Sequence, residues 1–229
     1  MTSWSPRALA RRFPAARRAV LRARFGDVRR TAPLTAWGEE RGTPVDRHYI
    51  ESFLTGHADA VAGCALEVKE DLYASRLGAA TVDVVDLDPL NPRATVVGDL
   101  CDPATLGTRS YDTVLLTQTL QYLPDPVAGL RNLLRALRPG GSLLVTVPCL
   151  QRVDGPPDLW RWTPTGLERH LRAALGAADA DLEVVGLGNS LAARSFLFGL
   201  AREDLDPAVL AADDPAYPLV VGAWVRPRR

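Results

Sequence analysis

The sequence predicts an α/β protein with a doubly wound, mostly parallel β-sheet, and two observations lead to this fold class. Short apolar segments recur along the chain, and several are continuously apolar, as expected for strands covered by helices on both faces. Segments whose apolar residues have helical spacing separate them, so strands and helices alternate. The predicted strands span residues 64–68, 81–86, 94–97, 113–117, 142–147, 182–187 and 219–225.

The clearest helix between two of these strands lies in segment 125–141. Its apolar residues recur at helical spacing and comprise Val127, Leu130, Leu133, Leu134 and Leu137. Pro139, Gly140 and Gly141 follow, and we expect them to end the helix before the strand at 142–147. In a doubly wound sheet, the ligand binds at the carboxyl ends of the strands, near the point where the strand order reverses.

Length and charge limit the function classes. The 229 residues, 47% of them hydrophobic, suffice for one α/β domain with a substantial core. The formal net charge is zero, which argues against a protein that binds nucleic acid mainly through phosphate contacts. The charge is uneven, because residues 1–30 contain nine arginines and a single acid, Asp27.

We therefore divide the chain into a basic, arginine-rich helical extension, residues 1–32, and a main domain, residues 33–229. Two interpretations of the extension stay open. It is either an exposed helix that packs along one apolar stripe, or a basic amphipathic helix that contacts an anionic membrane surface or an anionic acceptor.

Cysteine usage and apolar segment length indicate the compartment. Cys64, Cys101 and Cys149 lie far apart in or beside apolar segments, as buried or half-buried thiols of a reducing compartment do, and they lack the spacing of a metal site. The longest apolar segments are far shorter than a membrane span, and the N-terminus lacks the apolar core of a signal peptide. We expect a cytoplasmic protein.

A helix over residues 43–55 is predicted directly before the first strand. Pro44 suits the first turn of a helix, and Thr43 can cap it. The apolar stripe of this helix comprises Val45, Tyr49, Ile50, Phe53 and Leu54.

Polar residues follow four of the predicted strands. Glu67 lies at the end of the first, and Asp86 and Asp88 follow the second about twenty residues later, the spacing at which an acid binds ribose hydroxyls. The third and fourth strands end near Asp99 and Gln118. A nucleoside cofactor placed across these ends finds carboxylates for its ribose, and an acid and an amide for its adenine edge. Each acid alone is equally well a helix cap or a solvated turn, so the prediction depends on the set.

The sequence resembles class I S-adenosylmethionine-dependent methyltransferases. The general pattern of that family is found in residues 110–148, SYDTVLLTQTLQYLPDPVAGLRNLLRALRPGGSLLVTVP. A narrower similarity, to a bacterial subgroup associated with glycosyltransferases and with glycan or natural-product biosynthesis, is found in WGEERGTPVDRHYIESFL, NPRATVVGDL, WRWTPTGL and GNSLAARSFLFGLA. The resemblance covers residue 34 to the C-terminus. It implies a Rossmann-like, seven-stranded sheet with an antiparallel last strand pair, and S-adenosylmethionine as cofactor.

The resemblance also implies a set of cofactor-binding positions. Glu67 holds the amino or ribose end of the cofactor, and Asp86 or Asp88 holds the ribose hydroxyls, a choice that stays open. Asp99 accepts from the adenine amino group. Arg47 and Tyr49 cover the site as part of a lid formed by the helix at 43–55. The full set is Arg47, Tyr49, Glu67, Val68, Lys69, Asp86, Asp88, Asp99, Leu100, Thr117 and Gln118.

Lys69, the only lysine in the chain, departs from the family pattern. A common form of the family's loop has glycines at the positions of Lys69, Asp71 and Tyr73, where glycine allows close backbone approach and unusual backbone angles. Three interpretations stay open. The ammonium forms a surface ion pair with Glu70, Asp71 or another acid, or it binds the carboxylate of the cofactor, or it marks a domain that binds the cofactor weakly or not at all.

The acceptor is expected near residues that follow the fourth and fifth strands. The predicted acceptor-binding residues are Gln121, Tyr122, Trp160 and Arg161. Trp160 and Trp162 either stack on a sugar, with Arg161 holding an anionic group, or anchor the loop. No catalytic base is assigned. His57 and His170 are interpreted as structural, and His48 as a packing or surface residue.

The predicted function is methyl transfer from S-adenosylmethionine to a small-molecule acceptor, at a hydroxyl of a sugar, glycan precursor or natural product. No nucleic-acid partner and no metal are expected, and a homodimer is one open arrangement. The alternative is a methyltransferase-like domain that has lost methyl transfer and serves as a binding or partner subunit. A nicotinamide dehydrogenase is disfavoured, because no Gly-x-Gly-x-x-Gly pattern follows the first strand.

Overall fold

The computed structural model describes residues 31–228 and contains one seven-stranded sheet in that range, in the order β3-β2-β1-β4-β5-β7-β6. The predicted basic extension falls almost wholly on residues 1–30, which lie outside the described residues. The strands are β1 (Cys64–Val68), β2 (Thr81–Asp86), β3 (Val96–Val97), β4 (Tyr111–Thr117), β5 (Leu137–Pro148), β6 (Ala180–Leu187) and β7 (Val220–Pro227).

Helices separate most of these strands, as predicted, but among the described residues none lies between β2 and β3 or between β3 and β4. They are α1 (Val45–Gly56), α2 (Ala74–Leu77), α3 (Pro126–Arg135), α4 (Pro164–Leu175), α5 (Ser190–Leu197) and α6 (Pro207–Leu210), with short 3₁₀ turns at Ala58–Ala60, Leu120–Tyr122 and Arg202–Asp204. Within residues 31–228, none of the helices has the length and apolar character that crossing a membrane requires.

The sheet is parallel from β3 to β5 and antiparallel at its other edge. β7 lies between β5 and β6 and runs antiparallel to both. The predicted doubly wound, mostly parallel sheet with an antiparallel last strand pair is therefore confirmed. The strand order reverses between β1 and β4, which places the expected ligand site at the carboxyl ends of these two strands.

Alternating side chains of the central strands pack into two cores. Leu66 of β1 and Val114 of β4 lie in the core under α3 and α4, whereas Ala65 and Leu115 lie in the core under α1, α2 and α5. A strand buried on both faces must be apolar at every position, which explains the continuous apolar segments of the sequence.

Helix α1 carries several residues toward the strand ends, and its start differs from the prediction. Pro44, not Thr43, is the residue before the first helical position, and no side chain caps this end. Thr43 instead donates its backbone N–H to the carboxylate of Glu203 at 2.8 Å and accepts from the N–H of Arg202 at 2.8 Å. The helix is thus joined to the chain after α5 rather than capped locally.

The bounds of five strands, β3 to β7, also differ from the predicted ones, and for two of them the pairing gives the reason. Pairing of β5 begins at Leu137, opposite Tyr111, before the Pro-Gly-Gly turn, and a register shift separates this pair from the next. β3 is confined to Val96 and Val97, because the edge strand pairs only with Val85 and Asp86 of β2.

Candidate functional site

A cavity of about 700 Å³ lies at the carboxyl ends of the parallel strands. Parallel register brings these ends together, since Val68 of β1 is opposite Val85 of β2, and Glu67 is opposite Leu115 of β4. The sequence-predicted residues that line the cavity are Arg47, Glu67, Val68, Lys69, Asp86, Asp99, Leu100, Thr117, Gln118, Gln121 and Tyr122.

Glu67 organises the loop that follows β1. Its side chain is buried, and its carboxylate accepts from the backbone N–H of Tyr73 at 3.1 Å and of Ala74 at 2.8 Å. Burial raises the pKa of Glu67, and these backbone N–H groups act in the opposite direction. The carboxylate therefore fixes the first turn of α2 beside the cavity.

Lys69 adopts a backbone conformation that favours glycine, with φ +71°. Its N–H donates to the carbonyl of Val85 at 2.8 Å, and its carbonyl accepts from Asn91 at 2.7 Å, so both neighbours hold the residue in this conformation. A non-glycine residue held there costs about 1–2 kcal/mol.

The Lys69 side chain is exposed at the cavity and forms no hydrogen bond or ion pair with any residue from 31 to 228. The nearby acids are engaged elsewhere. Glu70 pairs with Arg93, and Asp71 accepts from the backbone N–H and hydroxyl of Ser75. The described residues thus contain no ion pair of Lys69 with Glu70 or Asp71, and each of these two carboxylates has another partner.

Tyr73 joins the loop after β1 to helix α1. It lines the cavity and, like Lys69, stands where the family pattern has a glycine. Arg47 donates to the hydroxyl of Tyr73 at 2.9 Å, and both residues line the cavity. Burial is the largest influence on the pKa of Tyr73 and raises it, while the guanidinium of Arg47 lowers it. A side chain in place of glycine thus connects the helix and the loop.

The structure separates the two candidate ribose ligands. Asp86 lines the cavity and Asp88 does not. The carboxylate of Asp86 accepts from Asn91 Nδ2 at 2.6 Å and from the backbone N–H of Asp88 at 3.1 Å, which orients it at the strand end. Asp88 accepts from the N–H of Leu90 at 2.9 Å, as an aspartate in a turn does.

Asp99 and Leu100 lie on the third strand end. The carboxylate of Asp99 accepts from the N–H of Cys101 at 2.8 Å, and the carbonyl of Leu100 accepts from the buried amide of Asn132 at 3.0 Å. An acid and an apolar side chain therefore stand side by side in the cavity wall, as binding of a polar aromatic ring requires.

Gln118 follows β4 and is the second non-glycine residue with positive φ, +45°. Its Nε2 group is buried and has no hydrogen-bond partner among residues 31–228. Gln121, which is 1% exposed, donates to the Gln118 carbonyl at 2.7 Å, and its Oε1 likewise has no partner. Both unpaired amide atoms are buried, so a ligand in the cavity reaches them only if these side chains turn toward it.

Several lining residues were missed by the sequence analysis, although some lie in the quoted segment WGEERGTPVDRHYIESFL. They are Trp37, Glu39, Asp46, Gln151 and Asp154. Asp46 is partly buried in the first turn of α1, and burial raises its pKa to about 6. No local pattern distinguishes it from an ordinary first-turn acid of a helix.

Two segments meet over the cavity. The guanidinium of Arg152, in the loop after β5, lies 4.9 Å from the ring centre of Trp37, in the segment before α1. Trp37 in turn lies 5.9 Å from the ring of Phe196 in α5. Cation–π and ring contacts therefore join the two segments that flank the outer part of the cavity.

Besides Asp88, three predicted site residues do not line the cavity. Tyr49 is buried in the core under α1, and its hydroxyl has no partner within the described range. Trp160 donates to the carbonyl of Leu123 at 2.9 Å, and Arg161 pairs with Asp158 at 2.5 Å. The contacts of Trp160 and Arg161 agree with the interpretation that these residues anchor the loop after β5.

The histidines also lie outside the cavity lining. Nδ1 of His170 is 2.9 Å from the indole N–H of Trp162, which donates to it. Nδ1 of His57 is 2.9 Å from the carbonyl of Phe53. His48 contacts the ring of Tyr49 edge-on. Across residues 31–228, no three side chains form a group suited to a metal ion.

The cavity is strongly acidic. Among residues 31–228, two basic side chains line it, Arg47 and Lys69. Seven acids line it, namely Glu39, Asp46, Glu67, Glu70, Asp86, Asp99 and Asp154. Such a wall favours a ligand that carries positive charge and opposes a pyrophosphate group, since low-dielectric clefts concentrate the field of the lining charges.

Comparisons with known proteins agree with this geometry. Residues 61–145 match a family model described as a methyltransferase domain. The match contains β1 to β4, α2, α3 and most of β5, and so the strand ends around the cavity. A search of curated proteins returned no match.

Solved structures share the fold over most of the chain. The plantazolicin methyltransferase BamL, solved with a triazolic desmethylPZN analog and S-adenosyl-l-homocysteine, is 10% identical, with 96% of this chain and 94% of that chain covered and a TM-score of 0.55. The N-methyltransferase NodS from Bradyrhizobium japonicum, solved with the same nucleoside, is 14% identical, with 82% and 90% covered and a TM-score of 0.50.

A third similar structure is the [4+2]-cyclase SpnF, 22% identical, with 77% of this chain and 80% of that chain covered and a TM-score of 0.50. At these identities, the likeness to all three shows the fold, which is that of class I methyltransferases.

Proposed function

We propose that this protein is an S-adenosylmethionine-dependent methyltransferase that acts on a small molecule. The observation that supports the proposal most is the acidic cavity at the strand ends, where Glu67, Asp86 and Asp99 stand on three successive strands. The matched methyltransferase domain spans all three positions.

The lining residues fit such a cofactor. Asp86 is oriented to accept from ribose hydroxyls, and Asp99 beside Leu100 to accept from an adenine amino group. Lys69, without an ion-pair partner in the described part of the chain, suits a carboxylate. When bound, the cofactor supplies an electrophilic methyl group, and the acidic wall stabilises its positive charge.

The acceptor is proposed to be neutral at its reacting group and small, in keeping with the resemblance to enzymes of glycan or natural-product assembly. Gln118 and Gln121 line the cavity, and their unpaired amide groups can serve a hydroxyl-bearing molecule once these buried side chains turn toward it. We place the reaction in the cytoplasm, because all three cysteines are free thiols, which is usual in a reducing compartment.

Calorimetric titration with S-adenosylmethionine and S-adenosyl-l-homocysteine tests the proposal. We expect saturable binding of both ligands at micromolar concentrations. Asp86→Asn should weaken binding about tenfold, because a ribose hydroxyl loses a charged acceptor. Asp88→Asn is the matched control, a residue of the same type outside the cavity, and should change the affinity less than twofold. Absence of saturable binding at millimolar ligand contradicts the proposal.

A second candidate is a domain of this fold that binds a nucleoside ligand without transferring a methyl group. Lys69 favours it, because a side chain at a glycine-type position narrows the cofactor loop. The likeness to a protein described as a cyclase agrees with this candidate. It predicts binding of S-adenosyl-l-homocysteine at least as tight as that of S-adenosylmethionine and no labelled product from a methyl-labelled donor in any acceptor mixture.

A further inference from the structure

Three further carboxylates line the cavity, and we call them its outer wall because none of them lies on a strand or directly after β1, β2 or β3. Glu39 lies in the segment before α1, Asp46 in the first turn of α1, and Asp154 in the loop after β5. None of the three forms an ion pair with any residue from 31 to 228. Among the described residues, the negative charge of this outer wall is therefore not matched by an ion pair.

The nearest basic side chains do not neutralise this wall. Arg47 directs its guanidinium to the hydroxyl of Tyr73, at 2.9 Å. Arg152 lies over the ring of Trp37 and is not part of the cavity lining. An acceptor with a carboxylate or phosphate meets three like charges here, and like charges placed together in an interface exclude wrong partners. An acceptor without negative charge meets no such penalty.

Asp46 differs from the other two acids in its burial. It is partly buried, whereas Glu39 and Asp154 are exposed. Its Oδ1 accepts from the backbone N–H of Arg47 at 2.8 Å, and its Oδ2 accepts no hydrogen bond from the described residues. One carboxylate oxygen is thus held by the helix start while the other is open to a ligand in the cavity.

The charged groups that act on Asp46 come from its own helix and from the segment before it. Burial raises its pKa to about 6, the positive charge of Arg47 lowers it, and the carboxylate of Glu39 raises it. A base with a pKa slightly below neutral is mostly ionised at pH 7 and still accepts a proton readily, which is the range that suits general base catalysis.

We propose that Asp46 is the catalytic base of the reaction, and that the acceptor presents a hydroxyl on a molecule that carries no negative charge. This inference rests on the proposed function. In the step, a lone pair of the acceptor oxygen forms the bond to the methyl carbon while the carbon–sulfur bond breaks and leaves its electron pair on a neutral sulfide. The proton of the hydroxyl passes to the free Oδ2 of Asp46 and then to water.

The position of Asp46 can be tested without the natural acceptor. S-adenosylmethionine carries a sulfonium charge that S-adenosyl-l-homocysteine lacks, so a carboxylate near the reacting sulfur titrates at a lower pH in the first complex than in the second. Carbon-detected NMR of protein labelled at the aspartate carboxyl carbons measures the pKa of Asp46 in both complexes. The resonance of Asp46 is the one that is missing in the Asp46→Asn variant. We expect the pKa of Asp46 to be at least half a unit lower in the sulfonium complex.

Asp181, on β6 and outside the cavity, is the internal control and should titrate identically in the two complexes. Equal titration of Asp46 in both complexes, with both ligands bound, overturns this inference and leaves the proposed function standing. Absence of saturable binding by either ligand overturns the proposed function, and this inference with it. The two failures are thereby distinguished.

The charge preference is tested with three phenols of similar size: 4-hydroxyphenethyl alcohol, tyramine and 3-(4-hydroxyphenyl)propionate. With the protein saturated by S-adenosyl-l-homocysteine, we expect the neutral and cationic probes to bind at least tenfold more tightly than the carboxylate. The double variant with Glu39→Gln and Asp154→Asn should reduce this ratio at least threefold, since it removes two of the three charges. Equal or tighter binding of the carboxylate by the unmodified protein overturns the inference.

Discussion

Lys69 combines a strained backbone with an ammonium that has no partner within residues 31–228. We expect Lys69→Met to weaken binding of S-adenosyl-l-homocysteine about tenfold, because a charge-assisted hydrogen bond to the ligand carboxylate is lost. Methionine keeps the length of the side chain and the backbone cost, so the charge alone changes. Calorimetry measures the affinity.

The control ligand is 5′-methylthioadenosine, which has the nucleoside and no carboxylate. Its affinity should be the same for both proteins. If Lys69→Met weakens the binding of both ligands equally, the ammonium does not hold the carboxylate. If the variant binds them more tightly than the unmodified protein, the result supports a degenerate cofactor loop.

Asp46 gives a prediction for stability against pH. Its pKa is about 6 in the folded protein and near 3.8 when unfolded, so the unfolded chain ionises first as the pH rises. The free energy of unfolding contributed by this group therefore falls between pH 4 and pH 6 and then levels. Asp46→Asn removes this loss. The free energy of unfolding of the variant should therefore be higher than that of the unmodified protein by about 1–3 kcal/mol at pH 8, with no such gain at pH 4.

Urea unfolding at pH 4, 6 and 8 measures the difference. An equal gain in the free energy of unfolding at all three pH values would mean that the Asp46 carboxylate ionises equally in the folded and unfolded states. That result would contradict the effect of its burial. Functional groups in a cavity wall are often retained although they lower the stability of the fold, and the carboxylate of Asp46 fits this description.

At the residue scale, the sequence predicted the acids at the strand ends and could not separate Asp86 from Asp88. The difference depends on the direction of each side chain after the strand, which Asn91 and the turn at Leu90 determine. Glu39, Asp46 and Asp154 were missed because residues from distant segments become one wall only in the folded chain.

Among the elements, helix α1 links the sheet to the outer cavity wall. Phe53 of this helix packs against Gly222 of β7, where an added Cβ would lie 2.7 Å from the ring. Gly222→Ala should lower the free energy of unfolding by about 1–3 kcal/mol through overpacking. Because α1 carries Asp46 and Arg47, the same variant should also weaken binding of S-adenosyl-l-homocysteine.

Gly56, at the end of the same helix, is the matched control, since an added Cβ there meets nothing within 4 Å. Gly56→Ala should leave both stability and affinity nearly unchanged in urea unfolding and calorimetry. Similar effects of the two variants would argue that α1 is not positioned by the contact of Phe53 with Gly222.

Element types were predictable, and element boundaries less so. β1 and β2 have the predicted bounds, because both are short apolar segments with clear polar ends. The start of α1 was misjudged at Thr43, whose backbone pairs with Arg202 and Glu203, and such long-range partners leave no local pattern. Similarly, β5 begins at Leu137 because Tyr111 is available as its neighbour.

For the whole molecule, the fold followed from the alternation of apolar strands and helices, and the position of β7 from the family resemblance. The site followed from the fold, because parallel strands bring their carboxyl ends to one edge. What pattern alone could not supply is the balance of charge in the cavity, which residues 31–228 line with seven acids and two basic residues.

A crystal structure of the protein with S-adenosyl-l-homocysteine tests the central claim most directly. The account predicts ribose hydroxyls on Asp86, the adenine amino group on Asp99, the amino-acid carboxylate on Lys69, and the sulfur facing Asp46 across the acceptor space. A ligand bound elsewhere, or crystals that stay free of the nucleoside at millimolar concentration, would contradict it.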